Sequence, residues 1–308
     1  MRVRIRGPLR AAAVLTIVFS VATLVPLDHF ALQMFTHFRL QYLAMAGLLL
    51  LAFATRREPR YAVAMLLTGA LNAACVVPWY LDERPAPAGT EMKLVLANVL
   101  AGNENHARLF DFIDAERPDV LLLLEVTPEW ATALQRLAAV YPDRVVERRS
   151  GNFGIALFSK LPLTSTAVVD IGPPGYPSIV AGIDVAGTPI DLIGTHPTIP
   201  LGALNYGARN TQFDGLSRML QKSRNPRILA GDLNTTMWDV NYESLVHRTR
   251  LRNVREGFGM LPTWPTFLPL AMIPIDHVLV SDDVAVVDVR TGPRIGSDHL
   301  PLIVTLSL

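Results

Sequence analysis

Residues 228–239, ILAGDLNTTMWD, carry an apolar strand into an aspartate and an asparagine two positions apart. Side chains at i and i+2 of a strand point to one side, so Asp232 and Asn234 leave the end of 227–230 aimed into the same space. Asp232 is a charged acceptor and Asn234 an amide that both donates and accepts, a pair suited to a water, a metal or a phosphate. A turn that merely closes the strand accounts for this stretch as well. The rest of the chain has to decide.

The same signature recurs. KLVLANV (93–99) sets Asn98 among aliphatics, DVLLLLEV (119–126) runs into Glu125, and DLIGTHP (191–197) ends on His196. AMIPIDHVLV (271–280) holds Asp276 inside an apolar run, and GSDHLPLIV (296–304) places Asp298 and His299 just before the last strand. Each has a bland reading alone: a solvated glutamate, a surface histidine beside proline, an Asp-His turn. Together they describe polar groups gathered at strand ends, which is how a site is built on a rigid scaffold.

The chemistry of such a set is definite. A hard cation takes one or two carboxylates plus neutral oxygens, which Glu125 and Asn98 supply. A water attacking phosphorus needs a base, and a neighbouring aspartate serves. Charge developing on phosphoryl oxygens needs donors, here histidines and an amide. A carboxylate such as Asp276 fixes the tautomer of a histidine such as His299 and makes it more basic.

This ordered set resembles the endonuclease/exonuclease/phosphatase superfamily of metal-dependent phosphoesterases, over roughly 93–308. The resemblance implies metal-side roles for Asn98, Glu125 and Asp298. It implies phosphate contact for His196 and Asn234, a base or water-positioning role for Asp232, and an Asp276–His299 pair. The cofactor it implies is Mg²⁺, with Mn²⁺ as the alternative. Ser159 and Lys160, in GIALFSKLPL (154–163), read as structural. Two departures stand out: His277 replaces the aromatic common after the orienting aspartate, and no clear active-site tyrosine follows His196, although Tyr206 is near.

The expected fold is α/β (α+β), a four-layer sandwich of two packed mixed β-sheets flanked by helices and preceded by three transmembrane helices. Strands are expected at 93–99, 118–124, 154–158, 165–171, 178–185, 188–195, 227–231, 276–281, 284–290 and 301–307, with helices at 106–116, 128–140 and 206–222. Residues 12–27, 40–54 and 61–81 carry no charge, and with their flanks each approaches the length of a bilayer span. We therefore expect a membrane anchor over 1–81, a linker over 82–92 (DERPAPAGTEM) and a catalytic domain over 93–308. The first span follows a basic n-region, but no small-x-small cleavage site closes it and two spans follow, which favours an uncleaved anchor.

Arg2, Arg4, Arg6 and Arg10 precede the first span and Arg56, Arg57 and Arg60 separate the second from the third, while 28–38 holds only Asp28 and two histidines. The positive-inside rule then puts the catalytic domain on the extracytoplasmic, periplasmic side of the plasma (inner) membrane. Residues 1–80 contain eight arginines and two acids, net +6, which leaves 20 basic and 25 acidic groups, net −5, in 81–308. An acidic body is no long-range lure for nucleic acid. The lone cysteine, Cys75, lies in the third span, so the exported part has no disulfide.

The expected activity is hydrolysis of a phosphodiester or phosphomonoester. Nucleic acid and a phospholipid or other small phosphoester both stay open as substrates, and a catalytically inactive interaction module is the reading from a different class. The expected partners are the bilayer, through three helices, and the phosphate ester; nothing indicates an obligate protein partner. Arg248, Arg250, Arg252 and Arg255 form either a phosphate-binding groove or a solvated face. TWPTFLPLAMIP (263–274) forms either core or an apolar border to the mouth.

Overall fold

The computed structural model describes residues 6–25, 28–81 and 89–308. Arg2, Arg4 and most of the expected linker, 82–88, lie outside the described residues, as do the last two positions of the first expected span.

The chain begins with helices α1 (Arg6–Ala22), α2 (Phe30–Thr36), α3 (Arg39–Thr55) and α4 (Pro59–Val76), the last running into a 3₁₀ turn at Val77–Tyr80. Next come β1 (Glu91–Asn98), whose first two residues fall inside the expected linker, α5 (His106–Glu116), β2 (Val120–Leu124), α6 (Pro128–Ala133), β3 (Asp143–Glu147), β4 (Ile155–Ser159), β5 (Leu163–Asp170), β6 (Pro177–Val185) and β7 (Thr188–Gly194). Then follow α7 (Gly202–Leu220), β8 (Arg227–Asp232), α8 (Val240–Thr249), β9 (Leu251–Asn253), β10 (Asp276–Ser281), β11 (Ala285–Thr291) and β12 (Leu302–Ser307). Sequence periodicity misses α2, β3, α8 and β9. β3 is a short charged strand at a sheet edge. α8 is a ten-residue helix whose start is set by a cap: Asp239 accepts from the backbone N–H groups of Asn241 and Tyr242.

The strands form two mixed six-stranded sheets, ordered β11-β12-β1-β2-β4-β3 and β5-β6-β7-β8-β10-β9. Alternation along each strand sorts the layers. Leu94 and Leu96 join Leu122, Leu192, Ile228 and Val278 between the sheets. Val95, Leu121 and Leu123 face outward against α5 and Trp130. Leu229 and Leu279, on the far side of the second sheet, pack under α7 and α8. Burying each such leucine contributes roughly 1.5–3 kcal/mol, so the register is strongly specified.

Topology then fixes where a site forms. Within each sheet one pair of strands is parallel, β1 with β2 and β7 with β8. Their carboxyl ends lie at the same end of the sandwich, the place where ligands settle against open α/β sheets. The antiparallel partners complete it: Asp276, at the start of β10, sits directly opposite Asp232, and β12 starts opposite Leu96 near the end of β1.

The N-terminal helices depart from the expected anchor. Among the described residues one helix, Pro59–Tyr80, is long and apolar enough to cross a membrane. A second qualifies only if α2 and α3, bent by 58° at their junction, are one broken span. The first expected span is a 17-residue helix, about 26 Å at 1.5 Å per residue, short of a hydrocarbon core of about 30 Å. Nor do the helices hang free. Val76 is buried with Trp238, Leu245 and Met260 against the second sheet's helix layer, with Leu40, Leu43 and Trp79 beside it. The Trp238 indole N–H donates to the Cys75 carbonyl at 3.3 Å, and the Gly259 N–H to that of Trp79 at 2.9 Å.

Candidate active site

Asp232 is the hub. It closes β8, is almost fully buried, and its Oδ1 accepts the Asn234 backbone N–H at 2.9 Å. Its Oδ2 has three neighbours: His196 Nε2 at 3.5 Å, His299 Nε2 at 3.7 Å and Asn98 Nδ2 at 3.4 Å. Burial works against its charge, but the two imidazoles outweigh it and hold the carboxyl below the usual carboxylate range. Gly231 of the same motif permits this geometry, because a Cβ there would lie 1.9 Å from the Thr195 carbonyl oxygen.

His299 is held from its other side. Its Nδ1 lies 2.9 Å from Asp276 Oδ2. Burial opposes the charged ring, yet Asp276 and then Asp232 prevail, and its pKa is pushed up to about 10. The same contest at His196, with Asp232 as the winning partner, raises its pKa as well. His196 Nδ1 and Asp276 Oδ1 are buried without a hydrogen-bond partner. Asn234 Nδ2 donates to the Pro197 carbonyl at 2.9 Å and lies 3.4 Å from His196 Nε2.

The first sheet supplies the opposite side. Glu125 directly follows β2, and its Oε1 accepts from Asn98 Nδ2 at 2.9 Å while Oε2 accepts the Ala101 N–H at 2.8 Å. Glu125, Leu100 and Asn234 all have positive φ, at 63°, 62° and 51°. For Glu and Leu this backbone is strained, and such strain concentrates at functional sites. Asp298 Oδ2 accepts from the Trp264 indole at 3.0 Å. All eight residues singled out from the sequence thus fall at one end of the sandwich. Six of them, together with Trp264, line a cavity of about 360 Å³; Asn98 and Asp276 support it from behind.

A divalent cation fits this chemistry. Glu125, Asp232, Asp276 and Asp298 outnumber the two histidines, and each Glu125 oxygen keeps a lone pair free beyond its one N–H partner. Asp232, Asp276 and His299 have ligand atoms within 4.8 Å of one another, but there His299 already sits between the two acids, 2.9 Å from Asp276 and 3.7 Å from Asp232. Glu125 and Asp298 are the other two carboxylates on the cavity lining. Asn98 turns its amide donor toward Glu125 and Asp232, so it orients the carboxylate.

Other expectations resolve differently. Arg248, Arg250, Arg252 and Arg255 do not border the cavity. Arg248 pairs with Asp214, Arg252 donates to the Val284 carbonyl, and Arg255 is fully buried with a bond to the Leu261 carbonyl. Tyr206 points away, donating to Asp28 at 2.7 Å. His277 is fully buried; its Nε2–H donates to the Thr235 carbonyl at 2.9 Å, and its Nδ1 accepts from Asn253 at 3.0 Å. Burial lowers its pKa to about 3, so it is a neutral clamp under the Asn234–Thr235 turn. Unforeseen in the sequence are Met34 of α2 and His37 just after it, which line the cavity from outside the sandwich. His37 Nδ1 lies 3.0 Å from Thr236 Oγ1. No strand-end pattern marks either residue.

Residues 95–299, about two thirds of the chain, match the model of the Endonuclease/Exonuclease/phosphatase family. Among solved structures, an endonuclease/exonuclease/phosphatase from Bacteroides vulgatus superposes with a TM-score of 0.61 at 16% identity, covering 71% of this chain and 99% of its own. A humanized D. rerio TDP2 gives 0.60 at 17%, covering 71% and 99%. The human Nocturnin catalytic domain with bound sulfate gives 0.58 at 20%, covering 73% and 97%. No curated protein sequence matches the chain. At these identities the solved structures speak for the fold, and the family match speaks for the chemistry of the strand ends: the chain belongs to the Endonuclease/Exonuclease/phosphatase family, whose members are phosphoesterase and nuclease hydrolases.

Proposed function

We propose that the chain is a membrane-anchored, Mg²⁺-dependent phosphoesterase acting outside the cytoplasm. The observation that carries the catalytic part is the convergence on Asp232 Oδ2 of groups from both sheets: Asn98 at the end of β1 and His299 just before β12 from the first, and His196 after β7 from the second, with Asp276 of β10 holding His299. Because Asp276 and Asp232 keep His299 protonated, His299 acts as a donor and Asp232 as the acceptor that holds the attacking water and takes its proton. His196, Asn234 and His299 offset charge on the phosphoryl oxygens. Water's oxygen bonds to phosphorus, one P–O bond breaks, and the leaving oxygen gains a proton. Glu125 and Asp298 are the residues to hold Mg²⁺, which when bound supplies positive charge opposite the phosphoryl and leaving oxygens.

Two features support the anchor. α1, α3 and α4 expose Leu15, Val18, Leu48, Leu51, Val63 and Leu67, an apolar face too extensive for water. Their basic ends coincide: Arg10 pairs with Glu58 at 2.8 Å, beside Arg56, Arg57 and Arg60. The sandwich docks at the other end, so the positive-inside rule puts it across the membrane from that cluster. On this reading 1–81 is the anchor and 93–308 the catalytic domain.

A second reading, hydrolysis of nucleic acid, draws on one neighbour in fold, D. rerio TDP2, solved in complex with a single-strand DNA product. The net −5 of 81–308 and the arginines turned from the cavity weigh against it.

The test is hydrolysis of bis-p-nitrophenyl phosphate by the full chain in detergent, with Mg²⁺ or EDTA, beside calorimetric Mg²⁺ titration of the wild type and Glu125→Gln. Expected are metal-dependent turnover and weaker binding in the variant. Turnover indifferent to EDTA would refute the metal assignment.

A further inference from the structure

Beyond its polar floor the cavity is lined mainly by apolar groups, with His37 and Asn152 the polar exceptions. Its walls are Met34, Leu100, Phe153, Leu201, Ile273 and Ile275, with Trp264 at one side. A sugar phosphate has no use for such a wall; a hydrocarbon chain fits its aliphatic length, while Phe153 and Trp264 alone offer faces on which a base could stack.

The surface around the mouth continues it. One loop and the first turn of α7 expose Ile199, Leu201 and Leu204, the last 91% accessible; another loop exposes Phe267, Leu268 and Leu270, at 72%, 50% and 89%. Single exposed leucines are ordinary, but two such clusters flanking one opening are not. Both loops are fastened to the helices of the anchor. Gln41, in the first turn of α3, donates to the carbonyl of Met272 at 2.9 Å and reaches that of Leu270. Tyr206, in the second turn of α7 after Leu204, donates to Asp28 between α1 and α2. The apolar loops therefore begin where the exposed apolar helix faces end, at the level where a membrane surface meets the sandwich. Met34 of α2 and His37 just after it line the same cavity.

We infer that the substrate is an amphiphilic phosphate ester taken from the outer leaflet of the membrane that holds the helices, its phosphate reaching Asp232 and its hydrocarbon chain lying along the Met34–Leu201–Ile275 wall. This rests on the hydrolase reading above. The Phe267–Leu270 and Ile199–Leu204 loops dip into the interface, as amphipathic surface elements do. Hydrolysis adds water across one P–O bond and releases a hydroxyl compound and the phosphorylated remainder.

The experiment uses the full chain reconstituted in phosphatidylcholine vesicles containing phosphatidylglycerol or phosphatidic acid, with bis-p-nitrophenyl phosphate and single-stranded DNA as soluble probes. We expect the double variant Phe267→Ser/Leu270→Ser to lose at least tenfold in lipid turnover and to keep soluble-ester turnover within twofold. A nitroxide on Leu270→Cys in a Cys75→Ser background reports depth without turnover: it should collide with oxygen more than with a water-soluble nickel chelate. Soluble-ester turnover with neither lipid cleaved, equal losses on ester and lipid, a nitroxide open to nickel, or DNA as the preferred substrate would each overturn the lipid assignment while leaving the hydrolase reading intact. Absence of turnover on every probe would instead refute the hydrolase reading on which it rests.

Discussion

The floor of the cavity holds three acids and two histidines at the ends of strands, with Asp276 behind them, whereas the wall beside it includes Met34, Leu201 and Ile275 on a short helix, a loop and a strand approach. The floor is positioned by sheet register, since Asp232 and Asp276 face each other as direct cross-strand partners. Of the wall, Ile275 shares that register, its carbonyl accepting the Leu233 N–H at 2.9 Å, while Met34 is brought in by the N-terminal helices, which dock on the second sheet's helix layer. The acidic floor and the Met34 side of the wall thus rest on different structural supports, and each can be perturbed without the other.

The largest expected effect falls on the floor. Asp232→Ala should lower turnover of a soluble ester by roughly 10³–10⁴-fold, the scale of a lost general base, with a change of only a few degrees in Tm. A collapse of Tm with activity retained would make Asp232 structural. The docking side should respond in stability instead. Arg209 of α7 and Asp239, the cap of α8, form a fully buried pair at 3.1 Å beneath the His37 corner. Asp239→Ala should destabilise by about 3–5 kcal/mol, because it leaves an unpaired buried charge; chemical denaturation reads this directly.

Gly231→Ala tests whether register and chemistry are linked. The new Cβ meets the Thr195 backbone oxygen, so overpacking of about 1–3 kcal/mol should come with reduced turnover as β8 shifts against β7. Retained turnover at lowered stability would separate the two. In metal-free buffer His299 gives a finer probe. Its pKa is raised from 6.5 to about 10, so the stability it lends through Asp276 is full below about pH 6.5 and is lost as pH climbs through about 10. That slope in Tm should vanish in His299→Gln. The smallest effect belongs to Arg248→Ala. Its exposed pair with Asp214 is worth at most about 1 kcal/mol, and turnover on every substrate should stay unchanged.

The sequence by itself determined the two-sheet sandwich and the polar set at its end. Period-two alternation marks the strands, and α5 follows at its expected limits. Asn98, Glu125, His196, Asp232, Asn234, Asp276, Asp298 and His299 interrupt apolar runs at a cost that only a shared site offsets. Such signals are local, a polar residue where burial should continue. Only the tertiary structure decided the rest. α2 has seven residues, too short for periodicity to show. Met34 and His37 reach the cavity by a contact spanning about 200 positions to Thr236, invisible to any window of sequence. The arginines of 248–255 look alike on the chain but separate into a surface pair, carbonyl contacts and a buried guanidinium according to what packs against them. Apolar content marked the N-terminal segment for a membrane. Helix length, the bend before α3 and the docking of α4 on the sandwich depend on three-dimensional packing, because hydrophobicity is a property of residues and a wall is a property of their neighbours.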